Sequence, residues 1–327
     1  MSSMFSRCDN DNGRAAINGG PRLMRAVAEA LEGSGAAAWG VAQAGEVEEA
    51  EMARFDRFLA EGRHASMEYL ERYREIRHNP LRLLEGEPRE GAVIVCAFPY
   101  AADYRPAPGA DRIARYALGD DYHDVLRKRL KPVAAVLRAA GWQGRVCVDS
   151  APILERYWAV RAGLGRVGRN RQLIAPGLGS YFFLAEIVTD APLGGACEPL
   201  PAEVDGRGMC SGCGACAAAC PTGALGADGT FDAGRCLNYL TIEHRGPLPE
   251  SVGGRPTAEV LRGVLYGCDR CQECCPCNRG IDAEPLAEFR PREALLSLNR
   301  EALEALGAEE RAELLRRSPL RRGLGRQ

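Results

Sequence analysis

Lysine is almost absent. Of 42 basic residues in the 327-residue chain, only Lys128 and Lys131 are lysine. The skew reads as the codon preference of a GC-rich genome, so no arginine is marked as functional by its identity alone. No apolar run approaches the roughly 18 residues that a membrane helix needs. Residues 1–20 carry Ser, Asn, Asp, Gly and Arg without an apolar h-region or a twin-Arg pair, which predicts a disordered leader over 1–21 rather than a secretory signal. A cytoplasmic location is the resulting expectation. A Walker A loop is missing, and no GxGxxG stands between a strand and a helix. Gly163-Leu164-Gly165-Arg166-Val167-Gly168 has that bare spacing without a strand before it. It reads as a loop where backbone approaches a flat cofactor. Excess charge is also lacking: the net charge of -2 excludes a grip on nucleic acid by overall charge, though not by a local patch. The 46% apolar and 26% charged content excludes wholesale disorder, collagen and coiled-coil fibres, and the length predicts about two domains.

Cysteine, by contrast, is abundant. Four of the 14 are scattered (Cys8, Cys96, Cys147, Cys197), and ten fall between Cys210 and Cys277. A reducing compartment disfavours a disulfide framework, so clustered thiols point to metal. The first group is Cys210-x2-Cys213-x2-Cys216-x3-Cys220-Pro221. That is the bacterial ferredoxin run, in which three cysteines wrap one [4Fe-4S] cubane and the fourth, held before proline, ligates another. Zinc favours two spaced pairs instead. The second group is Cys268-x2-Cys271-x2-Cys274-Cys275-Pro276-Cys277. Here Cys274 stands at the ferredoxin third position, but the Cys-Pro pair falls at Cys275. Two cubanes need eight thiolates. Cys210, Cys213, Cys216 and Cys275 supply one set; Cys220, Cys236, Cys268 and Cys271 supply the other. Cys274 competes with Cys236, and Cys277 is surplus. Paired cubanes make an electron wire, and a wire needs an acceptor.

Upstream, residues 21 to about 200 alternate between helix and strand patterns. Helices are predicted over Pro21–Gly33, Met52–Gly62, Tyr122–Gly141 and Ser150–Arg161. Strands are predicted over Ala38–Ala42, Ala92–Ala97, Arg145–Asp149 and Ser180–Val188. The order implies a layered α/β sheet. Asp149 falls between a strand and a helix, where an ordinary N-cap is the plain reading.

Several segments together resemble the epoxyqueuosine reductase family. They are Arg115-Tyr116-Ala117-Leu118-Gly119-Asp120-Asp121-Tyr122-His123, Val148-Asp149-Ser150-Ala151-Pro152-Ile153-Leu154-Glu155, and Ala162 to Asn170. Gly179 to Ile187, Cys236 to Glu243 and Tyr266 to Gln272 complete the set. The resemblance implies an oxidoreductase that removes the epoxide oxygen of epoxyqueuosine at the tRNA wobble position, with cobalamin fed by two [4Fe-4S] clusters. It implies Asp149 as the proton donor, with a pKa raised by burial. It also implies Arg77 as a basic residue facing the cofactor. Arg169, Asn170 and Ser180 would meet corrin amides or phosphate, and Asn238 and Gln272 would tune the clusters or touch cobalamin. It favours Cys236 over Cys274 as a cluster ligand. No Asp-x-His-x-x-Gly cobalamin loop is present, because Leu126 stands where the glycine would follow Asp121-Tyr122-His123. His123 is read as structural.

The implied architecture is an α/β cobalamin-binding domain over 22–195, a two-cluster ferredoxin-like domain over 196–282 and a short helical basic tail over 283–327. In that tail Arg316, Arg317, Arg321 and Arg322 are candidates for tRNA phosphates, with a disordered solubilising end as the plainer reading. Longer family members add helical repeats there. The expected partners are a queuosine-type anticodon stem-loop and an unidentified electron donor, with no membrane and a monomeric chain. A splayed wobble base would enter the pocket. A dehalogenase-like corrinoid reductase and a non-enzymatic electron-transfer module are the alternatives.

Overall fold

The computed structural model describes residues 20–100, 104–194 and 210–324. Cys8, Cys197 and most of the expected leader lie outside them. The first half follows the hydrophobic pattern closely. Helix α1 (Gly20–Ser34) leads into strand β1 (Ala38–Gln43), helix α2 (Glu49–Ala60) and the short α3 (Arg74–His78). Strand β2 (Ala92–Pro99) is buried along its whole length. A two-residue strand β3 (Arg112–Ile113) precedes the long helix α4 (Tyr122–Ala139), whose N-cap Asp121 accepts the His123 backbone N–H at 3.1 Å. Strand β4 (Arg145–Cys147), helix α5 (Glu155–Arg161), the hairpin of β5 (Arg166–Val167) and β6 (Leu173–Ile174), and strand β7 (Phe182–Thr189) complete this half.

The sheet runs β1-β2-β7-β4, and every pair in it is antiparallel. One face carries α1 and α4, whose Val27, Leu31, Leu126, Leu130 and Leu137 pack on Ile94, Phe98 and Ile187. The opposite face carries α2 and α5 over Val93, Val95 and Val188. The layered α/β architecture is as expected from the pattern. Two boundaries differ. Strand β4 ends at Cys147, and helix α5 begins only at Glu155, because Pro152 keeps its preceding residue out of the helical region. Asp149 therefore caps no helix. It sits in the intervening loop at φ 58°.

The second half contributes short elements. Helix α6 (Ala215–Ala219), the hairpin β8 (Ser251–Val252) and β9 (Arg255–Pro256), helix α7 (Thr257–Val260), strand β10 (Val264–Tyr266) and helix α8 (Arg270–Glu273) frame the cysteine loops. Strand β10 pairs in parallel with β3, which stitches the cysteine region to the α/β half. Helices α9 (Glu293–Leu296), α10 (Arg300–Ala305), α11 (Ala308–Leu315) and α12 (Leu320–Gly323) wrap back over that seam. Their Leu295, Leu315, Leu320 and Leu324 share a core with Ile113, Leu118 and Tyr266. The C-terminal segment is thus packed structure as far as residue 324, where the sequence left a disordered end open. Among the described residues no helix is long and apolar enough to cross a membrane.

Candidate active site and cluster region

Asp149 lies where the β4 strand end meets the start of α4. Its carboxylate is 3.1 Å from His123 Nε2, and His123 Nδ1 is 2.7 Å from Asp121 Oδ1. Asp121 is buried and in turn receives the guanidiniums of Arg321 and Arg322, at 3.1 and 2.8 Å. A continuous polar chain therefore runs from the C-terminal helix to Asp149. Tyr122 stacks on Phe183 with centroids 4.4 Å apart, which fixes its hydroxyl beside Asp149.

The electrostatics follow from that chain. Burial opposes the charge on His123, but the two flanking carboxylates prevail and raise its pKa above the ordinary imidazole value. The surrounding protein likewise pushes the Asp149 carboxyl up. The hydrogen bond and charge of His123, with Tyr122 and Arg156, outweigh this and hold it below the usual range. Within the chain itself, the pair favours its proton on the imidazole. The Asp149 side chain stays 58% exposed, so its carboxylate can meet a ligand. Burial pushes the Tyr69 hydroxyl up, and the charges of Glu243 and Asp149 add to that push while Arg77 opposes it.

Arg77 is buried, lies over the Phe55 ring and donates to the Tyr69 carbonyl, while its Nε has no partner. The other candidates are engaged within the fold. Arg169 donates to the Gly212 and Ala227 carbonyls, and its backbone N–H reaches the Cys210 sulfur at 3.5 Å. Asn170 reaches the Cys271 carbonyl. Ser180 donates to Gln272 at 2.9 Å, and Asn278 knits the two together. Asn238 accepts the Cys268 N–H at 2.6 Å. These residues brace the cysteine loops. The glycine-rich segment does so as well: a Cβ on Gly165 would lie 2.2 Å from the Ile174 carbonyl, so its glycine closes the β5–β6 hairpin. Gly179, at φ 63°, lets the chain pass against Asn278.

The cysteines fall into two neighbourhoods. Cys220, Cys236, Cys268 and Cys271 feel one another's charge. Cys210, Cys213, Cys216, Cys275 and Cys277 line a recess of about 430 Å³, with Arg169 and Asn170 on its wall. Cys274 feels Cys213, Cys216 and Cys275, and so belongs beside this second neighbourhood. Backbone N–H groups of Thr222, Ala224 and Leu225 point at the Cys220 sulfur, those of Asn238 and Tyr239 at Cys236. Amides aimed at thiolates are the setting of iron–sulfur ligation, and the donor set fits two cubanes.

Residues 77–150 match a family model described as epoxyqueuosine reductase QueG, DUF1730, and residues 209–278 match the 4Fe-4S double cluster binding domain. An epoxyqueuosine reductase of Cyclobacterium marinum is 34% identical over 285 residues, covering 86% of this chain and 87% of its own. The chain belongs to the epoxyqueuosine reductase family. A second such reductase, from Synechococcus sp., is 36% identical over 272 residues, covering 81% of this chain and 79% of the relative. The fold is that of a solved epoxyqueuosine reductase bound to an epoxyqueuosine-modified tRNA-Tyr stem loop, with a TM-score of 0.78 and 28% identity over 92% of this chain and 77% of that one.

Three residues of the site carry weak signals in the sequence. His123 looks structural there, although Asp121-x-His123 is an N-cap spacing that turns an imidazole toward a carboxylate. Glu155 was only part of a longer match. Glu186 had a signal of its own: it is the one charge in the apolar strand Phe182–Thr189. In the tail, Arg321 and Arg322 pair with the buried Asp121 while their side chains stay 42% and 38% exposed, and Leu320 and Leu324 anchor α12 in the core. Arg316 and Arg317 join Arg290 and Arg292 around a recess of about 530 Å³.

Proposed function

We propose that this chain reduces epoxyqueuosine to queuosine at the tRNA wobble position, with the Asp149–His123 pair as its proton source. The observation that carries the reading is an exposed carboxylate held 3.1 Å from a buried imidazole whose pKa is raised. Opening the epoxide to the alkene consumes two electrons and two protons and releases water. When bound, cobalamin supplies the cobalt centre for the electron transfer. The chain's own residues manage position and protons. Asp149 presents an oxygen to the departing epoxide oxygen and passes on the proton stored at His123 Nε2. Asp121 holds the other ring nitrogen, keeping that transfer aligned. Arg77, whose buried Nε has no partner, has a donor to offer an amide-fringed ligand.

Cys210, Cys213, Cys216 and Cys275 hold one [4Fe-4S] cluster in this proposal; Cys220, Cys236, Cys268 and Cys271 hold the other. Arg290, Arg292, Arg316 and Arg317, which share their recess with Asp120 and Glu288, meet tRNA phosphates. The working unit is a cytoplasmic monomer served by a separate electron donor. The experiment is anaerobic turnover of epoxyqueuosine-containing tRNA with added cobalamin and a chemical reductant. Queuosine should form. Cluster-replete protein that binds the corrinoid but leaves the epoxide intact would overturn the reading.

A further inference from the structure

Glu186 is fully buried in the middle of β7, paired across to Val95 of β2 and Cys147 of β4. Neither of its carboxyl oxygens has a hydrogen-bond partner. The charges that reach it come from Glu155 and Asp149, both acidic. On the sheet, the buried thiols of Cys96 and Cys147 sense it in turn. An ionised carboxylate cannot persist there without compensation, so Glu186 carries its proton. Glu155 opens α5 directly beside it. One Glu155 oxygen accepts the backbone N–H of Asp149 at 2.8 Å. Burial and the Asp149 charge push Glu155 up to about 7, against the smaller pull of the Asp149 N–H, Arg156 and His123. Asp149 itself occupies the left-handed region at φ 58°, a conformation that a non-glycine residue holds only when its surroundings enforce it.

We propose that Glu155 and Glu186 form a positioning pair: Glu186 stays protonated in the sheet and so adds no second charge beside Glu155, and Glu155 pins the Asp149 amide so that its carboxylate meets His123. Neither glutamate touches substrate, and both act through Asp149. The inference rests on the proposed role of Asp149, but its main readout needs no substrate.

The test is amide hydrogen exchange on the cluster-loaded protein under anaerobic conditions, read at Asp149. Glu155→Ala should expose that amide, as should Glu155→Asp, which is one methylene too short to reach it. Glu155→Gln keeps an oxygen acceptor and should restore protection. In turnover, Glu155→Ala should lower kcat by about 10- to 100-fold, with KM for tRNA within about twofold of the parent, as expected of a misplaced group. Infrared spectra at pH 9, where Glu155 is ionised, should show a protonated-carboxyl band that Glu186→Gln removes. Unchanged Asp149 exchange in both Glu155→Ala and Glu155→Asp would overturn the pinning. A carboxyl band at pH 9 that survives Glu186→Gln would overturn the protonated state of Glu186. If exchange responds as expected while no variant or parent turns over tRNA, the pair stands and the functional reading falls.

Discussion

Asp149 acquires its chemistry from its neighbours. A carboxylate with 58% exposure would ordinarily be a plain surface acid, and here a half-ring of Tyr122, His123 and Asp121 fixes both its place and its protonation. Replacing Asp149 by Asn keeps the shape and removes the proton carrier. Turnover should fall by at least about 100-fold, in line with general acid losses, while iron content and corrinoid binding stay at parent levels in absorbance spectra. His123 sets the pH response. Its folded pKa is raised, so its contribution to stability is complete below about 6.5 and is lost as pH rises through the folded value. Asp121 has a lowered pKa: burial works against the lowering, and hydrogen bonds from His123 and Arg322 overcome it. Its contribution is complete above about 4 and is lost on acidification. Thermal unfolding across pH should therefore show the pair's support greatest between those limits, and His123→Asn should flatten the alkaline side. Asp149 is legible in the sequence as a candidate only through the family resemblance. The sequence had no means of placing an imidazole from 26 residues away beside it.

At the level of elements, the hydrophobic spacing marked all four strands of the main sheet and the helices that cover it. It could not mark where a helix starts after Pro152, nor that the strands pair antiparallel, because pairing direction depends on contacts far apart in sequence. The hairpin of β5 and β6 was hidden from the sequence for a related reason. Glycines at close spacing announce that something approaches the backbone, and the visitor turned out to be Ile174 of the same hairpin. Gly165→Ala should destabilise the protein by about 1–3 kcal/mol in denaturant melts, as overpacking does, and should loosen both cysteine loops. The cysteine spacing separated the two ligand groups except at Cys274. Iron analysis of reconstituted Cys236→Ser should show a marked loss relative to the parent, and Cys274→Ser should retain full iron. The reverse pattern would exchange the two assignments.

For the whole molecule, the tail is the larger surprise. Composition alone pictured loose positive charge. Leu315, Leu320 and Leu324 instead bury α11 and α12 against Ile113 and Tyr266, and Arg321 and Arg322 close on Asp121. Leu320→Ala should cost about 2–5 kcal/mol of stability and, by releasing the arginines, should shift the pH profile of turnover as well. Salt dependence of tRNA binding separates the two arginine pairs. Arg316→Ala with Arg317→Ala should reduce the slope of log affinity against log salt by about one to two. Arg321→Ala with Arg322→Ala should leave that slope near the parent value.

One small hairpin carries a consequence for assembly. Through Arg169 it grips the carbonyl of Gly212 in one cysteine loop, and through Asn170 the carbonyl of Cys271 in the other. Whatever orders either loop must steady the shared clasp and so prepare its neighbour. Maturation should then be close to all-or-none: supplied with too little iron, a population of these chains should divide into empty and doubly filled molecules, with few caught halfway.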